Sequence, residues 1–131
     1  MDKILKLATG LFVVVIIASI AVFLAGSPQQ AAPSISPTTI YFFYGQECPH
    51  CEKIMPFMNN LTQKYPDANI QFLEVWHNQT NQKIYTLANA AAGVTDYGVP
   101  EVILGTHVLM GEDEIPANMT ALVQDYLKKK Q

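Results

Sequence analysis

The sequence has 131 residues, of which 50% are hydrophobic, and its formal net charge is −3. A chain of this length supports one ordinary domain, and its hydrophobic content excludes disorder over most of it. The eight basic residues are all lysines and are outnumbered by eleven acidic residues. Binding to nucleic acid, which usually relies on arginine, is therefore not expected.

The first 26 residues are predicted to form a transmembrane signal anchor. The 19 residues from Leu7 to Ala25 carry no charge, and as a helix they would extend roughly 28 Å, close to the thickness of a bilayer's hydrocarbon core. Lys3 and Lys6 precede this stretch and no lysine follows it before Lys53, which predicts a cytoplasmic N-terminus and an extracytoplasmic remainder. A cleavable signal peptide is the alternative, although the apolar stretch is longer than usual and no clear cleavage site follows it.

Residues 27–38 are predicted to form a linker, and residues 39–131 a single domain. The linker contains Pro28, Pro33 and Pro37 among Gln, Ala and Ser, and it has no apolar periodicity. It is expected to hold the domain close to the membrane surface.

Hydrophobic patterns in the domain predict four strands and three helices in the order β-α-β-α-β-β-α. The predicted strands, the last two joined as a hairpin at Gly105-Thr106, are Ile40–Tyr44, Ile70–Trp76, Glu101–Leu104 and His107–Met110. The first helix has an apolar stripe of Cys51, Ile54, Met55, Met58, Leu61 and Tyr65. The second, ending near Gly93, has a stripe of Ile84, Leu87, Ala88 and Ala91, and the third begins near Pro116. This order predicts an α/β fold with a four-stranded mixed sheet.

The segment Cys48-Pro49-His50-Cys51 lies between the first strand and the first helix. Cys48 would lie at the helix N-cap, where unpaired N–H groups and the helix dipole favour a thiolate, and Pro49 suits the first helical turn. Protonated His50 adds a second positive charge, and both effects lower the pKa of Cys48 from about 8.5. Cys51 lies one turn inward on the apolar stripe, as a shielded resolving thiol would. The pair is suited to thiol–disulfide exchange through a mixed disulfide.

The domain resembles the thioredoxin-fold oxidoreductases, and its Cys-Pro-His-Cys segment is similar to that of the periplasmic DsbA oxidases. Lys53 and Pro56 resemble the lysine and the helix-kinking proline of thioredoxins. Val99-Pro100 stands where that family has a cis-proline facing the active-site sulfurs. The runs 98–104 and 110–113 also look like the corresponding parts of glutaredoxins.

This resemblance implies a minimal thioredoxin fold and a redox-active Cys48–Cys51 disulfide, with no other cofactor and no metal. The catalytic candidates are Cys48 as nucleophile, Cys51 as resolving thiol, and the tuning residues Pro49 and His50. The candidates for contact with substrate are Glu47, Trp76, Val99 and Pro100.

The sequence also departs from these families. The buried acid that thioredoxins and DsbA have six residues before the first cysteine is replaced by Phe42, and Trp76 to Val99 has room for one helix rather than the DsbA insertion. Glu47 directly precedes Cys48, so its charge opposes the thiolate while that of His50 favours it. The sequence therefore leaves the direction of electron flow open.

The function that follows is thiol–disulfide exchange on exported proteins, either making or breaking disulfides. The expected partners are exported thiol or disulfide proteins and an integral-membrane redox protein, with the membrane contacted through the N-terminal helix. Two alternatives stay open. One is a copper or zinc metallochaperone in which His50, His77 or a methionine joins the cysteines. The other is a redox-inert interaction module.

Overall fold

The structure, a computed structural model, describes residues 1–3 and 32–131. The four strands and three helices that it describes from residue 33 onward belong to one compact unit, Pro33–Gln131. Among the described residues, no helix is long and apolar enough to cross a membrane. The stretch predicted to be the anchor, from Leu7 to Ala25, lies outside the described residues, and the anchor stays a prediction.

The predicted order of strands and helices is confirmed. In chain order the elements are β1 (Ile40–Tyr44), α1 (Pro49–Lys64), β2 (Ile70–Glu74), α2 (Gln79–Ala92), β3 (Glu101–Leu104), β4 (His107–Met110) and α3 (Gly111–Lys130). The strands form a sheet of order β2-β1-β3-β4, in which β1 pairs parallel with β2, and antiparallel pairs join β1 to β3 and β3 to β4. This four-stranded mixed sheet with three helices is consistent with a thioredoxin-like fold.

Strand β1 lies inside the sheet and is covered on both faces, which explains its unbroken apolar and aromatic sequence. Its side chains alternate: Phe42 points toward a cluster formed with α1 and α3, and Phe43 toward a cluster formed with α2. We call the first side the two-helix face and the second, covered by α2 among the described helices, the one-helix face.

Helix α1 packs its predicted stripe into the two-helix face. Cys51, Ile54, Met58 and Leu61 are buried, and Met55 and Tyr65 are partly buried against the same cluster. Because Cys51 belongs to this stripe, the packing that buries α1 also holds the second cysteine away from solvent.

The inward face of α2 differs from the prediction. Leu87 is 42% exposed and Ala91 is also exposed, whereas Tyr85, Ala88 and Asn89 are the buried residues. The apolar periodicity was misleading because the helix turns a polar residue, Asn89, toward the sheet, where it binds a buried carboxyl group. The end of α2 is as predicted, with Gly93 in the left-handed conformation at φ 77°.

Two element boundaries were also predicted wrongly. Strand β2 ends at Glu74 rather than Trp76, because the Glu74 carboxylate turns the chain by binding the next backbone N–H groups. Helix α3 begins at Gly111, five residues before Pro116. Three acidic residues in its first turn favour a helix N-terminus there, and the Glu114 carboxylate accepts a hydrogen bond from the Met110 N–H at 2.9 Å.

Candidate active site

Cys48 and Cys51 form a disulfide at the N-terminus of α1, with their Cα atoms 5.2 Å apart. Both residues are almost fully buried, at 3% and 1% exposure. Tight burial follows from their position, since Cys51 lies on the inward stripe of α1 and Cys48 one turn before it. The two candidate redox residues are therefore brought together as a closed pair.

Cys48 is the N-cap residue of α1. Its backbone is extended, and its Sγ atom accepts a hydrogen bond from the Cys51 N–H at 3.2 Å. Pro49 follows in the first helical turn, where no partner is needed for its missing N–H group. A thiolate released at Cys48 would keep this donor and face the positive end of a 16-residue helix.

The Val99-Pro100 segment lies directly beside Cys48. The Val99 carbonyl oxygen is 3.9 Å from Cys48 Sγ, and the Val99-Pro100 peptide bond is cis. The carbonyl of Pro100 accepts a hydrogen bond from the Gly111 N–H at 2.9 Å, which ties this loop to the start of α3. Residues separated by about fifty positions along the chain thus line one side of the disulfide.

His50 is exposed and contacts an acidic residue of α3. Its Nδ1 atom lies 2.8 Å from Glu112 Oε2, while Lys53 Nζ lies 2.9 Å from Glu112 Oε1. The hydrogen bonds from Lys53 and His50 lower the pKa of Glu112 below its ordinary value. The Glu112 carboxylate therefore bridges the start of α3 and the first turns of α1.

Glu47 makes the corresponding contact on the other side of the disulfide. The Nε2 atom of His77 lies 2.9 and 2.8 Å from the two Glu47 carboxylate oxygens. The neighbouring Trp76 is 47% exposed, and its indole ring lies so close to Gly45 that a Cβ atom there would collide with it. Gly45 is thus required by the close approach of the indole ring to the backbone.

These contacts revise the electrostatic argument made from sequence. Glu47 and His50 were expected to act on Cys48 with opposed charges, but each of them has a counter-charge supplied by a distant residue, His77 or Glu112. Neither pairing has a local sequence signal, because the partners are 30 and 62 positions apart.

No cluster of three or more His, Cys, Asp or Glu side chains suitable for a metal ion occurs in the part of the chain that the structure describes. His50 and His77, the two histidines considered as ligands beside the cysteines, contact Glu112 and Glu47 respectively.

No protein-family model matches the sequence, and comparison with curated proteins gives no significant match. Several solved structures are similar in part, and three of them are glutaredoxins. A buckwheat glutaredoxin–glutathione complex is 18% identical, with 69% of this chain and 76% of that chain covered and a TM-score of 0.46. The holo form of glutaredoxin C1 from Populus tremula × tremuloides is 15% identical, with 70% and 82% covered and a TM-score of 0.48. Oxidised glutaredoxin 2 from Chlamydomonas reinhardtii is 19% identical, with 70% and 80% covered and a TM-score of 0.42.

Proposed function

We propose that the protein catalyses thiol–disulfide exchange through Cys48 and Cys51, with exported proteins as substrates outside the cytoplasm. The observation that carries this proposal is the Cys48–Cys51 disulfide at a helix N-terminus, with a backbone N–H donor on Cys48 Sγ. A buried structural disulfide does not need such a donor, whereas a sulfur that departs as a thiolate is stabilised by it.

In the oxidising direction, a substrate thiolate attacks Cys48 Sγ. The Cys48–Cys51 bond breaks, and Cys51 leaves as a thiolate and takes up a proton. A second substrate thiolate then attacks the substrate sulfur of the mixed disulfide and releases Cys48 as a thiolate. Two electrons pass from the substrate dithiol to the protein, and the reverse sequence reduces a substrate disulfide.

Cys48 is assigned the attacking role because its thiolate is the better stabilised of the two. The Cys48 thiolate would accept a hydrogen bond from the Cys51 N–H and lie at the positive end of α1, whereas Cys51 lies one turn further inside on the buried stripe. His50, two residues after Cys48, is proposed to tune the thiolate, and its contact with Glu112 offsets part of that effect. Val99 and Pro100 are proposed to orient the incoming sulfur, with Glu47 and Trp76 contacting the substrate.

The proposed location follows from the sequence of the first 26 residues. An uncharged stretch of 19 residues after two lysines is the pattern of a single-pass anchor with a cytoplasmic N-terminus. Since a dithiol has no electron source of its own, an anchored catalyst needs a redox partner, and an integral-membrane redox protein is within its reach.

The exchange mechanism is tested by trapping in cells with the full chain. Cys51→Ser should accumulate mixed disulfides with partner proteins because the resolving thiol is missing, and Cys48→Ser should not. Non-reducing gels followed by identification of the linked proteins measure the result, with the double Cys→Ser variant as the matched control. If Cys51→Ser traps no more than that control, the proposed function is wrong.

The direction of exchange is decided by the reduction potential of the full chain, equilibrated against glutathione buffers. A potential of about −120 mV would identify a disulfide donor, and a potential of about −270 mV would identify a reductase. The two values differ by about 7 kcal/mol for two electrons, which separates them clearly.

A further inference from the structure

The turn that joins β2 to α2 lies against the loop that carries Cys48. We call residues 74–78 the β2–α2 turn and residues 45–48 the cysteine loop. Three contacts join them: the Val75 N–H donates to the Tyr44 carbonyl just before the loop, the Trp76 ring covers Gly45, and His77 contacts Glu47. The contacts follow one another along both segments, so the turn is aligned with the loop over its length.

Glu74 holds this turn in one conformation. Its carboxylate accepts hydrogen bonds from the N–H groups of Trp76, His77 and Asn78 at 2.7, 2.9 and 3.1 Å. Desolvation alone would raise the pKa of Glu74, but the backbone N–H groups of His77, Trp76 and Gln46 lower it, and the charge of His77 adds to the effect. Asn78 in turn caps α2 by accepting a hydrogen bond from the Asn81 N–H. The hydrogen bonds of Glu74 and Asn78 thus fix the backbone of His77 independently of its side-chain contacts.

The His77 side chain meets both carboxylate oxygens of Glu47, the residue directly before Cys48. The hydrogen bond and the charge of Glu47 raise the pKa of His77, and the charge of Glu74 adds to this. Protonated His77 cancels the Glu47 charge, which would otherwise disfavour a thiolate on the next residue. On the opposite side of the cysteine loop, Glu112 pairs with His50 and Lys53 and is not available to His77.

We propose that His77 is a positioning residue of the redox site, which favours the Cys48 thiolate by neutralising Glu47. The inference rests on the proposed function for its importance, since only an exchange catalyst uses that thiolate. It assigns a role to a histidine that never needs to touch the sulfur. It also predicts that alkaline pH, by removing the proton of His77, restores the unfavourable charge of Glu47 beside Cys48.

The test is the pKa of Cys48 in the reduced full chain, measured from the pH profile of its alkylation by iodoacetamide in a Cys51→Ser background. His77→Gln should raise that pKa, so that at any pH below it about threefold less Cys48 is in the thiolate form. A change of this size is typical of one surface charge contact. His77→Lys keeps a positive charge and should restore the original value. In a Glu47→Gln background, His77→Gln should have a smaller effect, because His77 has then lost the carboxylate that holds its ring beside the cysteine loop and favours its protonated form.

His107→Gln is the matched control, since His107 is an exposed histidine at the end of the sheet remote from the disulfide. The inference is overturned if His77→Gln leaves the Cys48 pKa unchanged, or shifts it equally with and without Glu47. Alkylation requires no protein partner, so this outcome is separate from the trapping experiment. If Cys51→Ser traps partner proteins but the Glu47–His77 coupling is absent, only the role of His77 is refuted. If the coupling is present but no partner is trapped, only the proposed function is refuted.

Discussion

The two faces of the sheet are built on different principles. The buried cluster of the two-helix face contains apolar residues alone: Ile40, Phe42, Ile54, Met58, Leu61, Ala68, Val102, Ile115, Met119 and Val123. The one-helix face has a smaller apolar cluster, and it also contains Glu101 and Asn89, both fully buried. The strand register explains why the Glu101 side chain lies on the one-helix face. Glu101 pairs with Phe43 across β1 and β3, and paired residues point toward the same face of the sheet.

The buried polar groups of the one-helix face are only partly hydrogen-bonded. Asn89 Nδ2 donates to Glu101 Oε2 at 2.9 Å and to the Tyr85 carbonyl at 3.1 Å. Glu101 Oε1, Asn89 Oδ1 and the Tyr85 hydroxyl have no partner among the described residues. Burial raises the pKa of Glu101, against the smaller opposing effects of the Asn89 hydrogen bond and the nearby Tyr85 hydroxyl. A neutral, protonated Glu101 fits this environment because an isolated buried charge is costly.

The two sides of the disulfide are therefore supported in different ways. Helix α1, which carries the cysteines, is held by close apolar packing on the two-helix face. Pro100, on the other side of the sulfur pair, leads directly into Glu101 and is thus linked to a buried polar pair. Apolar packing tolerates changes of pH, whereas the polar pair depends on the protonation of one carboxyl group.

The largest expected effect is a loss of packing at neighbouring residues of β1. Phe42→Ala should lower the free energy of unfolding by about 3–5 kcal/mol, because the helices on its face leave little room for collapse. Phe43→Ala should cost about 3 kcal/mol, since α2 can shift toward the space left behind. Urea unfolding of both variants measures the difference. A larger cost at Phe43 would contradict the view that the two-helix face is the more rigid.

The second prediction concerns Glu101 and pH. Because its folded pKa is raised, the native state binds more protons than the unfolded chain above the ordinary glutamate pKa. Stability from this group is complete below the unfolded pKa and is lost as the pH rises through the folded pKa. Glu101→Gln should remove this loss and keep the contact with Asn89.

Urea unfolding at several pH values from acid to alkaline measures this slope. Glu101→Leu is the matched control: it also removes the titration, but it takes one of the two hydrogen bonds from the Asn89 amide and should be less stable than Glu101→Gln at every pH. An unchanged pH dependence in both variants would show that Glu101 does not govern the stability of the one-helix face.

The third prediction is a smaller effect at the Tyr85 hydroxyl. Removing this unpartnered buried group by Tyr85→Phe should raise the free energy of unfolding by about 1 kcal/mol. Tyr41→Phe, on the same face, should lower it by about 1 kcal/mol, because the Tyr41 hydroxyl accepts a hydrogen bond from the Ser36 N–H at 2.8 Å. Thermal or urea unfolding measures both variants. Changes of the same sign in the free energy of unfolding would argue against unpaired polar atoms on this face.

The smallest expected effect lies at the edge of the two-helix face, where Glu112 joins α3 to α1. Its pKa is lowered, so its stabilising contribution is present at neutral pH and is lost as the pH falls through the folded pKa. The unmutated protein should therefore lose a small part of its free energy of unfolding as the pH falls, and Glu112→Gln should not show this decrease. Because His50 and Lys53 are largely exposed, the difference at neutral pH should be slight and should diminish with added salt.

Local patterns predicted the strands better than the helices. The hairpin strands Glu101–Leu104 and His107–Met110 have the bounds expected from their alternation and from the turn between them. The start of α3 and the inward face of α2 were wrong because each depends on a side chain, Glu114 or Asn89, whose hydrogen bond becomes visible only in the folded chain. Apolar periodicity cannot identify a polar residue that is buried with its partner.

The sequence was sufficient to predict the order of the elements and the position of Cys48 and Cys51 at a junction between a strand and a helix, since both follow from local periodicity and capping. It also indicated which charges stand next to Cys48. The way those charges are balanced follows from the folded chain, because Glu47 contacts His77 and His50 contacts Glu112 across 30 and 62 positions. Contacts between distant segments depend on how β2, α1 and α3 pack around the sheet, and no local pattern records that packing.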